Sequence, residues 1–286
     1  MLTASLGTAR SLLSLVKIEH TLFALPLALT GTILAQRGLP GLRVLVLVIL
    51  AFAGARAAAM GFNRLVDRHL DAANPRTAGR EIPTGKVGLA QAWVLVTGAC
   101  VVYFLAAWAL NELCFALSPF ALAVLLGYSY TKRFTMLCHV FLGISLGMAP
   151  IAGWIAVTGG FSWIPVILAL GVVFWVAGFD VIYACQDVAF DRQEGLHSIP
   201  ARFGSAKALR FAAAAHFAAF SLFVAAGASA NLAWPFYVLI AVTGGLLYWE
   251  HRLVSPTDLS RLDLAFFKVN SMISGSLLAA VWFGLP

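Results

Sequence analysis

The sequence predicts an all-α polytopic membrane protein, a bundle of about nine transmembrane helices around a central cavity in a single domain spanning 1–286. Three observations predict it. Of 286 residues, 61% are hydrophobic and only 11% charged, with a mean hydropathy of +0.91; a soluble domain carries roughly 25% charged residues. Apolar runs recur along the chain at about the 20 residues needed to cross a bilayer. Basic residues collect in alternate connections, as the positive-inside rule requires.

The runs lie near 21–36, 43–66, 90–110, 112–131, 137–157, 162–186, 207–229, 232–251 and 265–285. The first is short and the eighth is followed by a polar stretch. With the N-terminus in the cytoplasm, the inner segments hold Arg10, Lys17, Arg64, Arg68, Arg76, Arg80, Lys86, Lys132, Arg133, Arg192, Arg202, Lys207, Arg210, Arg252, Arg261 and Lys268. The outer side keeps Arg37 and Arg43, and Arg56 is left inside a helix. Outer connections such as "VTGG" and "GASAN" carry no charge. The net charge of +7 is therefore membrane topology, not a nucleic-acid surface. No basic segment precedes a short apolar stretch at the N-terminus, so no cleaved signal peptide is expected. The four cysteines form no CxxC pair and read as small residues of a membrane core. Trp154, Trp163, Trp234 and Trp249, near run ends, read as interfacial anchors.

The second run ends in "NRLVDRHLD" and is followed by "REIPTGKVGLAQA"; the sixth ends in "DVAFD" and is followed by "HSIPARFGSAKAL". Both have two Asp four apart, a basic loop, an Ile-Pro and small residues opening the next helix, which suggests a duplicated four-helix unit. Asp67 and Asp71, like Asp187 and Asp191, are spaced to share one helix face about 6 Å apart along the axis. Asn63 extends the first row. Carboxylates at a membrane edge cost energy unless compensated. Local salt bridges to Arg64, Arg68 and Arg192 would offset this, but two such rows on one side suit a divalent cation better. Mg²⁺ takes oxygen ligands, typically one or two carboxylates plus substrate phosphates. Arg76, Arg80, Lys132 and Arg133 could clamp the same phosphate oxygens.

Arg56 lies about 16 Å below Asp67 along a straight helix, on the face of Asn63, Asp67 and Asp71. Two readings stand: a buried pair with Asp180, or a receptor for an anionic group, such as a carboxylate, on a second substrate. Arg64 and Arg68 fall off that face and are expected at the cytoplasmic surface. Among the histidines, His197 follows the second row and reads as a solvated loop residue.

These segments resemble a known family. "RAAAMGFNRLVDRHLDAANPRTAGREIPTG" resembles the first signature of the UbiA-type intramembrane prenyltransferases, "FDVIYACQDVAFDRQEGLHSIPARFG" their second, and "YSYTKRFT" the Tyr…Lys-Arg loop between. The resemblance covers nearly the whole chain. It implies transfer of a polyprenyl chain from its diphosphate to an aromatic acid of the 4-hydroxybenzoate type, with Mg²⁺, in quinone biosynthesis. It also implies a bacterial inner-membrane setting. By position, Asn63, Asp67, Asp71, Asp187 and Asp191 would hold diphosphate-bound Mg²⁺, Lys132 would meet the diphosphate, Arg56 would meet the acceptor's acidic group, and Asp180 matches an upstream Asp of the family. Arg64 stands where the family usually has Asp, and His197 where it has a loop Lys; both suggest a subgroup whose acceptor differs, such as a dihydroxynaphthoate. The ring proton would go to Asp191 or Asp180. An ion-coupled transporter is the rival from another class, opposed by the confinement of both rows to one edge.

Overall fold

A computed structural model describes residues 11–286, with the side chains of 18–23 outside that description. Arg10 of the predicted inner set therefore lies outside the described residues. All regular structure among the described residues is helical. The long helices are α1 (Ile18–Gln36), α2 (Leu42–Val66), α4 (Leu89–Leu110), α5 (Glu112–Thr131), α6 (Cys138–Thr158), α7 (Trp163–Ala184), α10 (Ser205–Ser229), α11 (Trp234–Leu253) and α12 (Asn270–Gly284). Three short ones, α3 (Arg68–Ala73), α8 (Val188–Gln193) and α9 (Ile199–Phe203), lie at the predicted cytoplasmic ends.

Among the described residues, seven spans are long and apolar enough to cross a membrane. Two predicted runs are not among these seven. The first falls on α1, which is 19 residues long and whose described side chains cover only Ala24–Gln36. In the eighth, α11 closes on Glu250, His251 and Arg252, which dilute its apolar stretch. The protein is an integral membrane helical bundle. Trp163 and Trp234 are three-quarters or more exposed at the starts of α7 and α11, as anchors at a membrane boundary would be.

Neighbouring helices pack in the cyclic order α1, α2, α4, α5, α6, α7, α10, α11, α12 and back to α1. Within this ring α1 also presses against α6. The contact is backbone to backbone: a Cβ at Gly31 would overlap the Pro150 carbonyl, and one at Gly153 the Ala28 carbonyl. Lipid tails provide no hydrophobic drive between helices, so small residues that let backbones approach set such contacts. Gly153→Val should cost about 1–3 kcal/mol or prevent assembly, read as a lowered melting temperature of the purified protein in detergent. An unchanged melting temperature would show that α1 and α6 are not held this way.

Candidate functional site

Neither aspartate row lies on one straight helix, and this corrects the simple ladder expected from their spacing. α2 stops at Val66, Asp67 adopts φ −91° and ψ 6°, and α3 starts at Arg68. In the second row α7 passes into a 3₁₀ turn over Cys185–Asp187, Asp187 adopts φ −100° and ψ 7°, and α8 starts at Val188. Both first aspartates occupy the sparsely used bridge region, where active-site residues are often found. Both second aspartates, Asp71 and Asp191, are the fourth residue of a six-residue helix. The same bend, built twice, is the structural counterpart of the repeated sequence pattern.

Each carboxylate is met by a different cation. Arg76 holds Asp187 with two bonds, Nε to Oδ1 at 3.0 Å and Nη2 to Oδ2 at 2.7 Å. Arg80 donates to Asp71 Oδ1 at 2.6 Å. Lys132 Nζ lies 2.7 Å from Asp191 Oδ1, and Arg133 donates to Asp67 Oδ1 at 2.7 Å. The connections cross: Arg76 leaves the first row's loop to reach the second row, and Lys132 and Arg133 divide one loop between the two rows. Proximity of the three loops, only assumed from sequence, is thus a feature of the structure. Asn63 Nδ2 donates to Asp67 Oδ2 at 2.9 Å, Asn74 Nδ2 to Asp187 Oδ1 at 3.2 Å, and Ser198 Oγ to Asp191 Oδ2 at 2.8 Å. Arg76 also donates to the Tyr183 hydroxyl at 3.2 Å, and Tyr183 stacks on Phe266 of the π-helix Leu264–Val269.

Arg64 is not at the surface. It is 7% exposed, and its Nη1 lies 3.9 Å from Asp71 Oδ2. The reason is the bend at Asp67, which turns α3 so that Asp71 returns toward the end of α2. Asp71 Oδ2 is buried and accepts no hydrogen bond. Arg68 is only part-buried and donates to the Leu65 carbonyl at 2.9 Å. His197 is exposed as expected, while its backbone N–H donates to the Lys132 carbonyl at 2.8 Å. A cavity of 390 Å³ lined by Phe62, Val66, Arg68, Trp93 and Tyr130 also borders Arg133, so this guanidinium meets an apolar surface as well as Asp67.

Among the described residues no three His, Cys, Asp or Glu side chains converge as a preformed metal site. The donor set nevertheless fits Mg²⁺. It is all oxygen, it includes a buried carboxylate oxygen without a hydrogen-bond donor, and its charges are held by cations that a diphosphate would attract. Burial pushes the Asp67 carboxyl above its usual range, against the opposing pull of Arg133. The fold thus binds this proton more tightly than the unfolded chain does, and the stabilising effect of the neutral form is lost as pH rises through the folded pKa. At neutral pH and without Mg²⁺, Asp67→Asn should melt at or above the wild-type temperature; a clear drop would mean that the Arg133 pair dominates.

Deeper in the bundle, Arg56 and Asp180 do not form the buried pair that was one of two expectations. Arg56 Nε is buried and has no hydrogen-bond partner among the described residues. Asp180 instead lies 2.6 Å from His139 Nδ1. His139 was missed by sequence reading, although an ionisable residue opening an apolar run is the signal that could have marked it. Tyr183, Asn74 and Ser198 were missed because their roles depend on distant partners.

Residues 24–272 match the UbiA prenyltransferase family. The chain belongs to that family. Among curated relatives of this UbiA-family chain, the 4-hydroxybenzoate octaprenyltransferase of Aromatoleum aromaticum is 31% identical over 87% of this chain and 84% of its own length. The apo structure of a UbiA homolog from Aeropyrum pernix K1 is 35% identical, with a TM-score of 0.84 over 92% of this chain and 97% of that one. A UbiA homolog from Archaeoglobus fulgidus, solved bound to GPP and Mg²⁺, is 21% identical, with a TM-score of 0.70 over 96% of this chain and 99% of that one. At that identity it speaks to the fold alone.

Proposed function

We propose that this UbiA-family protein transfers a prenyl group from a polyprenyl diphosphate to an aromatic acid of the 4-hydroxybenzoate type, in a Mg²⁺-dependent reaction of quinone biosynthesis. The name of the Aromatoleum relative supports the reaction, and the all-oxygen donor set with its unsatisfied buried carboxylate oxygen supports the ion. The carrying observation is that Asp67, Asp71, Asp187 and Asp191 are each met by a cation, Arg133, Arg80, Arg76 and Lys132 in turn, with Arg64 a second neighbour of Asp71. Such a set is neutralised while empty and matches a magnesium diphosphate by exchange of partners.

In this reading Asn63, Asp67, Asp71, Asp187 and Asp191 hold the ion, and Lys132, Arg133, Arg76 and Arg80 turn from carboxylate to phosphate oxygens. Bound Mg²⁺ supplies Lewis acidity to the diphosphate oxygens. The four cations stabilise the charge that grows on the leaving diphosphate as the allylic C–O bond breaks. Arg76 is preset for this by two hydrogen bonds, since its fork fits phosphate as well as carboxylate. Arg56 lies about 16 Å below the bend at Asp67, and Asp180 about 10 Å below the bend at Asp187. Both side chains thus lie on the deep side of the rows. In this reading Arg56, whose Nε has no hydrogen-bond partner among the described residues, receives the acceptor's carboxylate and Asp180 faces its hydroxyl. The allylic carbon bonds to the ring carbon beside that hydroxyl, and the ring then loses its proton.

The N-terminus and the three charged loops face the cytoplasm. A transporter would need acidic residues continuing across the bundle, whereas both rows sit at one edge. The test is incubation of membranes with labelled polyprenyl diphosphate, Mg²⁺ and a panel of aromatic acids that includes dihydroxynaphthoates. Product that disappears on chelation is expected with one acceptor class; no Mg²⁺-dependent product with any acceptor overturns the reading.

A further inference from the structure

His139 is the second residue of α6 and 2% exposed. Its two ring nitrogens face different parts of the site. Nδ1 lies 2.6 Å from Asp180 Oδ2. Nε2 accepts the backbone N–H of Ile199 at 3.3 Å. A nitrogen that accepts an N–H carries a lone pair, so the proton is on Nδ1 and is donated to Asp180. Ile199 opens α9, and its N–H is one of the helix-start donors that need a partner outside the helix.

The neighbouring contacts make this a junction. Ser198, one residue before Ile199, caps α9 through Ala201 and also donates to Asp191. His197 N–H bonds the Lys132 carbonyl, and Cys138 Sγ lies 3.5 Å from the His197 carbonyl. The 132–139 and 197–199 segments are thus joined at several points, and His139 carries that joint down to Asp180. The Asp180 side chain is 19% exposed, and no hydrogen bond to its Oδ1 occurs among the described residues. One oxygen is held and the other is turned to open space.

We propose that His139 is a positioning residue for the acceptor. It fixes the rotamer of Asp180 so that Oδ1 faces the acceptor's hydroxyl, and through Ile199 it ties that carboxylate to the loop carrying Asp191. This rests on the reading of the deep end as the acceptor site. His139 acts here as a neutral donor on one side and acceptor on the other. A glutamine can reproduce both bonds, with its amide NH₂ toward Asp180 and its carbonyl toward Ile199. Leucine can make neither, and asparagine can place its amide near the Nδ1 position, toward Asp180, but cannot reach Ile199.

The experiment compares His139→Gln, His139→Asn, His139→Leu, Asp180→Asn and the double variant His139→Leu/Asp180→Asn as purified full chains. It measures KM and kcat for acceptor and for polyprenyl diphosphate, using the acceptor that the wild type accepts from the panel. His139→Leu should raise the acceptor KM at least about tenfold, with the diphosphate KM moving less than about threefold; His139→Asn, which keeps a donor toward Asp180, should raise the acceptor KM less. His139→Gln should return the acceptor KM to within about threefold of wild type. In the Asp180→Asn background the leucine change should add little, because its effect passes through that carboxylate. If the leucine variant fails to fold, His139→Phe, which also makes neither bond, decides in its place. An unchanged acceptor KM in His139→Leu or His139→Phe, equal shifts for both substrates, or full additivity with Asp180→Asn would overturn the proposal while leaving the prenyltransferase reading intact. A wild type that turns over no acceptor would remove both.

Discussion

Replacing either bend aspartate, Asp67→Ala or Asp187→Ala, is expected to lower turnover by about a thousandfold or more, the effect of losing several kcal/mol of charge stabilisation at the transition state. The expectation rests on geometry as well as residue type. Each of these aspartates is the point at which a long helix bends into a short one, so its carboxylate is presented at the mouth of the site. Asp187 also holds Arg76 through two bonds. Its loss removes an ion ligand and releases the guanidinium that would meet the leaving diphosphate. Asp187→Asn separates these roles. The amide keeps a hydrogen-bond acceptor for Arg76 but not the charge that an ion needs, so its turnover should fall nearly as far as that of the alanine variant. The measurement is the initial rate of labelled product at saturating donor, acceptor and Mg²⁺. Wild-type rates in both alanine variants would sink the metal assignment.

The second large effect concerns Arg56. A guanidinium nitrogen buried without a hydrogen-bond partner is costly to the fold, and Arg56 Nε is in that state in a half-buried side chain. Removing the charge should therefore stabilise the substrate-free protein and cripple its use of an acidic acceptor. Arg56→Met should melt at a higher temperature than wild type, while its acceptor KM rises about 30-fold or more, the cost of leaving a carboxylate in the deep site without its cation. The diphosphate KM should hardly move, because Arg56 lies about 16 Å below the first bend. Two readouts moving in opposite directions are the signature of a residue kept for a ligand. A variant that is both less stable and unchanged toward the acceptor would mean that Arg56 serves packing instead.

The sequence alone determined the class of fold and the spacing of both aspartate rows. These are local properties: the length of an apolar run and residue types four apart do not depend on where the chain goes next. The repeated motif was legible for the same reason, since each instance is written in about thirty consecutive residues. The weaker eighth span was legible too, in the charged end of α11.

Pairings were decided only by the tertiary structure. Arg76 meets Asp187 across 111 residues, Arg133 meets Asp67 across 66, and His139 meets Asp180 across 41. Helical periodicity places a side chain on a face but not opposite a partner, so the sequence placed Arg64 at the surface and allowed Arg56 to pair with Asp180. The bend at Asp67 buried the first, and His139 took the partner of the second. A buried charge is held by whichever opposite charge or dipole packing brings within reach. Packing is a property of the closed ring of helices, which no single segment contains.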